Sequence, residues 1–460
     1  MQKSLRVGPA LAACVAPMCV FGSALAADAA PGATPKVGID VLGVPLEFFL
    51  FGATLIGVAL LHHRTFTVAF TGLAAIIAYK FVFTGFKFGA GLDGLLGHLW
   101  HERVILSNLF LLLIGFAVLS RHFEDSKAPE AMPRILPDDW TGGLTLLAMV
   151  FVLSSFLDNI AAALIGGVVA RHVYKNVHIG YLAAIVASSN AGGAGSVVGD
   201  TTTTMMWIDG VSPLDVVHAY VASLTAFLVF AVPLSIVQQR HSPIQKHREG
   251  GFRIDWMRVG VVGFILISAI GANVSANLFA PQLLDAYPVI GIGVWAAIIL
   301  GAAIRAPEVS VIPANFKGTL FLLALVTCAS LMPVEKLPPA SWESALALGF
   351  ISSVFDNIPL TALALKQGGY DWGVLAFAVG FGGSMLWFGS SAGVALSNQY
   401  PEAKSAVRWV RSGWWVALGY VVGFLTLLAV VGWHPHAPHK PINEGSPSHS
   451  AIPDAGAAEG

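Results

Sequence analysis

Two acid–amide pairs, Asp158-Asn159 and Asp356-Asn357, stand inside the closely similar apolar stretches SSFLDNIAAAL and SSVFDNIPLTAL. A carboxylate surrounded by hydrocarbon is costly, and such residues usually mark an ion or proton pathway. Each pair is followed by a second echo. Gly192-Gly193 precedes Gly199-Asp200-Thr201 in the first half, and Gly382-Gly383 precedes Gly389-Ser390-Ser391 in the second. Glycines at matched spacing permit a membrane helix to break, which frees backbone groups to coordinate an ion where they face a cavity. Duplication of the whole unit points to a transporter of two related halves, with its site where they meet.

The first half carries the richer set of oxygen ligands: Asn190, Ser196, Asp200, Thr201, Thr202, Thr203 and Thr204. Hard cations such as sodium prefer several oxygens, and Asp158, Asn190 and Asp200, with threonine hydroxyls and freed carbonyls, could supply them. A carboxylate buried without a cation takes up a proton instead. Proton and metal ion then compete for the same oxygens, which suffices for cation/proton exchange at a site facing one side at a time. A lone threonine in a membrane helix usually bonds back to its own backbone, and a glycine pair equally permits close helix packing. Asp209, Asp215 and Asp371 lie near expected helix ends and are read as solvated. In the second half Ser390 replaces Asp200 and Gly380 replaces Asn190, so negative charge concentrates in the first. No Lys or Arg is expected in the core of any span, which disfavours an organic anion as cargo.

These residues need a membrane scaffold to hold them. The 460-residue chain is 56% hydrophobic and 11% charged, against roughly a quarter charged in a soluble domain. It reads as an all-α polytopic membrane protein. Residues 1–26 resemble a cleaved signal peptide, with Lys3, Arg6 and the site Ala24-Leu25-Ala26, and 27–44 form a periplasmic spacer. A first repeat, 45–237, has apolar segments near 45–63, 65–84 and 104–121, a hairpin at 141–172, an interrupted segment at 178–208 and a helix at 213–237. A basic cytoplasmic linker, 238–256, leads to the second repeat, 257–433. There the order recurs: 257–279, 288–305, 315–333, a hairpin at 342–366, an interrupted segment at 372–397 and a helix at 409–433. Each hairpin limb has about 13–18 residues, short of the ~20 needed to cross. Re-entrant hairpins leave about five crossings per half, and an odd number inverts the second half relative to the first.

Charge supports the orientation. With the mature N-terminus outside, the expected cytoplasmic loops hold 16 Lys and Arg against 7 on the outer side, as the positive-inside rule requires. The tail, 434–460, is rich in His and Pro and is expected to be disordered and periplasmic. Cys14, Cys19 and Cys328 offer no disulfide framework.

SSNAGGAGSVVGDTTTTMMW, from Ser188 to Trp207, together with the upstream FLDN, resembles the signature of NhaD-type sodium/proton antiporters. DNIPL at Asp356 and GFGGSMLWFGSSAGVA, from Gly380 to Ala395, resemble that family's second-half pattern. The resemblance spans about residues 40 to 433 and reaches a wider ion-transporter superfamily that includes arsenite and citrate carriers. It implies an ion and proton site formed mostly by Asp158, Asn159, Asn190, Asp200, Thr202 and Thr203, completed by Asp356, Ser390 and Ser391. It also implies hairpins tipped by Asp158-Asn159 and Asp356-Asn357 meeting broken helices near the midplane. A transport unit moving against a scaffold, usually in a homodimer, is implied as well.

The expectation is a transporter and not an enzyme. It would sit in the bacterial inner membrane, surrounded by lipid, with Na+ or Li+ and H+ as cargo and neither cofactor nor nucleic acid. Two rivals remain. One is an arsenite or small-carboxylate carrier of the same superfamily. The other is an intramembrane aspartyl protease using Asp158 and Asp200 as a carboxylate pair sharing a proton. Its Gly-x-Gly-Asp motif is broken here by Val197.

Overall fold

A computed structural model describes residues 38–41, 43–61, 64–245, 253–280 and 282–436. The proposed signal, most of the spacer and the tail beyond His436 lie outside these residues. Among them the only paired strands form a short ribbon, β1 (Asp40–Val41) with β2 (Val44–Pro45). Everything else of consequence is helical. Among the described residues, six helical spans are long and apolar enough to cross a membrane, so the chain is an all-α polytopic membrane protein.

The helices, in chain order, are α1 (Leu46–Leu60), α2 (Thr65–Tyr79), α3 (Gly91–Asp125), α4 (Trp140–Ser154), α5 (Asn159–Val173), α6 (Ile179–Ala194) and α7 (Thr201–Ile208). They continue with α8 (Ala219–His241), α9 (Trp256–Phe279), α10 (Val289–Gly301), α11 (Val311–Ser330), α12 (Trp342–Ser352), α13 (Asn357–Gln367), α14 (Ser391–Gln399) and α15 (Ala406–Val430).

The two hairpins fall where apolar length placed them, as α4–α5 and α12–α13. At about 1.5 Å per residue none of these limbs covers a ~30 Å hydrocarbon layer. Their turns are built alike. Asp158 (φ −53°, ψ 140°) and Asp356 (φ −54°, ψ 141°) each leave helical geometry and cap the following helix through the side chain. The interrupted segments also correspond. The first runs through α6, breaks, and restarts at α7 under the cap Asp200 (φ −140°, ψ 144°). The second runs from Trp372 to Met385, breaks, and restarts at α14 under the cap Ser390 (φ −138°, ψ 152°).

Between the halves lies an aromatic core. Phe377 stacks on Phe381 at 5.2 Å between ring centroids and on Tyr420 of α15 at 5.8 Å, while Phe230 of α8 meets Phe381 at 5.9 Å. All four rings are fully buried. Such stacking fixes the second broken segment against α8 and α15 by area burial and ring geometry together.

Four sequence expectations are revised. Asp371 is not solvated: it is fully buried, accepting hydrogen bonds from His218 Nε2 (2.8 Å), the Val374 amide (3.1 Å) and the His434 amide (2.9 Å). A cap that also receives a histidine is satisfied without water. The tail does not loosen at residue 434, because the His436 amide donates to the Tyr370 carbonyl and the Gly369 amide to that of His436, each at 3.1 Å. Helix α3 begins well before residue 104; its first turns carry Asp93, His98 and Glu102, whose polarity hides a helix from an apolar-run reading. Lysines are also engaged inside the bundle: Lys80, next to Tyr79 of α2, lies buried 4.0 Å from Glu47, and Lys366 of α13 bonds to Glu102.

Candidate ion site

Asp200 is the hub of the buried polar network. Its Oδ1 accepts from Asn159 Nδ2 at 3.1 Å, and its two oxygens face Asn357 Nδ2 at 3.5 and 3.4 Å. One carboxylate thus receives the amide of both duplicated pairs. Asn159 Nδ2 also donates to Asn190 Oδ1 at 3.0 Å, and Asn190 Nδ2 donates to Ser384 Oγ (2.9 Å) and Ser390 Oγ (3.2 Å). Asn190 is fully buried, with both ends of its amide committed to protein partners. It buttresses the site from behind.

Four helices begin here. Asn159 and Asn357 are the first residues of α5 and α13, while Asp200 and Ser390 cap α7 and α14. Helix N-termini carry partial positive charge and favour a nearby anion, so the network holds a carboxylate at Asp200 without a fixed cation. Among the described residues, no Lys, Arg or His pairs with Asp158 or Asp200.

The other candidates occupy defined places. Asp158 Oδ2 accepts from the Ile160 amide at 3.2 Å, and Asp356 Oδ1 accepts from the Ile358 amide at 3.1 Å. Ser391 Oγ donates to Asp356 Oδ2 at 2.9 Å. Thr203 and Thr204 turn back to their own segment, donating to the Ser196 and Val197 carbonyls at 2.6 and 2.9 Å and both to the Asp200 carbonyl. Thr202 Oγ1 is buried without a hydrogen-bond partner among the described residues. Thr201 stands at the cavity wall described next.

A cavity of about 380 Å³ reaches Asp158, Asp200, Thr201, Thr204 and Ser391. Its far wall is α3 and α11, with Ser120, Asn315 and Thr319 adding polar groups, and it continues to Arg121 and Glu124 at the end of α3. Arg121 and Asn315 are exposed there, so the cavity meets the surface. Asn190 and Asp356 do not line it. At its inner end Asp158, Asp200, Thr201, Thr204 and Ser391 therefore face one cavity, an oxygen set suited to a hard monovalent cation or a proton.

The six glycines serve close approach. A Cβ on Gly192 would collide with the Phe151 carbonyl of α4, and one on Gly382 with the Gly349 carbonyl of α12. Gly199 is likewise pressed on the Ser154 carbonyl, and Gly389 on the Ser353 carbonyl. Gly193 and Gly383 face the Gly199 and Gly389 carbonyls, each 2.7 Å from where a Cβ would stand. None has a left-handed backbone. The same contacts recur in each half: hairpin limb against broken segment, backbone on backbone.

No family model matches the chain. An Arabidopsis thaliana protein named sodium/proton antiporter 1 is 29% identical over 334 residues, which cover 63% of this chain and 56% of that protein. A Vibrio cholerae protein named Na+/H+ antiporter NhaD is 28% identical over 334 residues, 60% of this chain and 68% of that one. A Vibrio parahaemolyticus protein of the same name is 28% identical over 305 residues, 54% and 71% of the two chains. The chain is thus similar to proteins named sodium/proton antiporters, several of them NhaD. It matches little more than half the length of the first of these relatives.

Beside the NhaD-like signature, the structure brings in groups that the motif reading passed over. Ser384 bonds to Asn190 although it lies outside the quoted pairs. Its signal was its place directly after Gly383, inside the second echo. Asn315 and Thr319 on α11 had no motif to announce them; only packing across the cavity brings them near Asp158 and Asp200.

Proposed function

We propose that this protein is a secondary transporter that exchanges Na+ or Li+ for H+ across the bacterial inner membrane, with Asp158 and Asp200 as the shared binding groups. The observation that carries the reading is the placement of both carboxylates on one surface-reaching cavity without a pairing cation. Proton and metal ion would be alternatives there, since either relieves the cost of an unpaired buried carboxylate. Thr201 and Ser391 would complete the cation's oxygen shell. Asn159, Asn190 and Asn357 would position Asp200, and Asp356 would hold Ser391. The names carried by the plant and Vibrio relatives support the same reading.

The two halves are read as inverted repeats with re-entrant hairpins. The matched caps and glycine contacts support the duplication, and the bias of Lys and Arg supports the inversion. In that orientation the cavity opens to the cytoplasm and the tail lies in the periplasm. A homodimer in the membrane follows from the family resemblance. Neither rival reading gains support from the site. A carboxylate or arsenite cargo would have no basic residue beside the acids, and the second half has no place in an aspartyl protease.

The test is dissipation of a proton gradient in everted vesicles, titrated with Na+, Li+ and K+ across pH. Sodium- or lithium-dependent collapse, absent in Asp200→Asn, is the expected result. Uptake of a small carboxylate with no cation-dependent proton movement would sink the proposal.

A further inference from the structure

A second, smaller void lies in the same helix interface as the site cavity. Its lining includes Glu102 of α3, Met205 of α7 with Asp209 just beyond that helix, Val326 of α11, and Leu365 and Lys366 of α13. The two voids follow one another along all four helices, with chain numbers falling on α3 and rising on α7, α11 and α13. On α3 the cavity takes Leu109 to Glu124 and the void takes Glu102 and Ile105. On α7 they take Asp200 to Thr204 and then Met205; on α11, Val311 to Leu322 and then Val326; on α13, Ile358 and then Ala362 to Lys366. Four elements agree, so the voids are stations on one line, with the Asp200 turn in the wall of the larger.

They differ in how they end. The large cavity reaches exposed residues at the Arg121 end of α3. The small void holds about 20 Å³, little more than one water, and an ion pair stands in its wall. Lys366 Nζ lies 2.6 and 2.8 Å from the two carboxylate oxygens of Glu102. The Glu102 side chain is 4% exposed and that of Lys366 is 28% exposed. Glu102 and Arg121 are separated by about 28 Å along α3, from 1.5 Å of rise per residue, so the pair and the open mouth sit at opposite ends of the path. The wall behind the pair is itself braced: one turn before Glu102, His98 Nε2 lies 2.9 Å from Ser330 Oγ of α11. Lys366 instead comes from α13, whose other end begins at Asn357, in contact with Asp200.

We propose that the Glu102–Lys366 pair closes the second access route to the Asp158/Asp200 site, and that it separates each time the site turns to the opposite side. This rests on the transport reading above and adds to it the residues that must part. The driving logic is mechanical and electrostatic at once. Asp200 and Lys366 are linked through the single short helix α13, so a change at the Asp200 end can be felt at the pair. A paired, largely buried carboxylate and ammonium hold shut strongly when dry, and weaken once water reaches them.

The experiment uses the full chain with Cys14→Ser, Cys19→Ser and Cys328→Ala. Glu102→Cys with Lys366→Cys is treated with a short, reductively cleavable bifunctional thiol reagent, and bridging is scored by mass. The expected result is loss of exchange by at least about tenfold on bridging, restored by reductant. Either single-cysteine variant should exchange at the same rate with the reagent as without it. Bridged protein that exchanges at the unbridged rate would overturn the proposal, because a static brace tolerates a permanent link and a gate does not.

A second arm needs no transport activity. Met205→Cys is labelled by a membrane-impermeant maleimide from the side opposite the large cavity, with Lys366 present or as Lys366→Gln. A rise in labelling rate of at least about tenfold is expected without Lys366; an unchanged rate also overturns the assignment. If exchange is missing even with no substitution at 102 or 366, the antiport reading fails and labelling alone decides the gate. If bridging is harmless while Asp200→Asn abolishes exchange, antiport stands and the gate falls.

Discussion

A Cβ placed on Gly380 would stand 2.9 Å from Asp200 Oδ2. Gly380 occupies the second-half position that Asn190 occupies in the first, so the incomplete echo between the halves has a steric cause. The second half omits a side chain where the first half's carboxylate must fit. One aspartate at the centre of two similar halves requires one of them to yield space.

Gly380→Ala therefore forces Asp200 aside or strains the helix that carries residue 380. Overpacking of this kind costs about 1–3 kcal/mol, and the melting temperature in detergent should fall accordingly. Cation-dependent exchange should fall more than stability does, because the displaced atom is a proposed ligand. Wild-type exchange in Gly380→Ala would show that Oδ2 is not needed at its present position.

Asp200→Asn and Asp158→Asn are expected to abolish exchange while the protein still reaches the membrane. Stranding a cation beside an amide in place of a carboxylate forfeits about 3–5 kcal/mol in a buried site, more than about 100-fold in affinity. Vesicle assays on both variants check this. Exchange retained in both would end the proposed mechanism.

The two asparagines should differ in degree. Asn159 bonds Asp200 at 3.1 Å and Asn190 at 3.0 Å, whereas Asn357 reaches Asp200 at 3.4–3.5 Å. A hydrogen bond to a charged group is worth about 1.5–3 kcal/mol, so Asn159→Ala should raise the half-saturating sodium concentration by roughly tenfold or more. Asn357→Ala should have the smaller effect. Equal effects would show that bond length does not rank these contacts.

Asp371 offers a control away from the cavity. Its buried carboxylate ties His218 and the chain at His434 to the second broken segment. Asp371→Ala leaves those donors without their acceptor and should lower stability by about 3 kcal/mol. The sodium dependence of the folded fraction should remain unchanged. A shift in apparent sodium affinity without loss of stability would contradict a purely structural role.

Limb length made both hairpins, 141–172 and 342–366, legible, and their helices end within one residue of those bounds. Apolar length found most spans too, because hydrocarbon demands a run of apolar residues whatever the tertiary fold. It failed at the start of α3, where polar residues turn inward to partners that the run cannot reveal. The burial of Asp371 is hidden for the same reason: proximity to a helix end says nothing about a histidine arriving from another helix.

By itself, then, the sequence determined the membrane class, the duplicated Asp-Asn units and the concentration of acidic charge in the first half. These are local or repeating properties, set by composition and by the cost of charge in hydrocarbon. Only the tertiary structure decided that Asp200 receives both asparagines and that Asn190 supports the site from behind without lining the cavity. It also decided that the six glycines admit backbone contact, and that Lys366 of α13 meets Glu102 of α3. Each depends on which helix ends converge, and convergence is a property of packing between segments far apart in the chain.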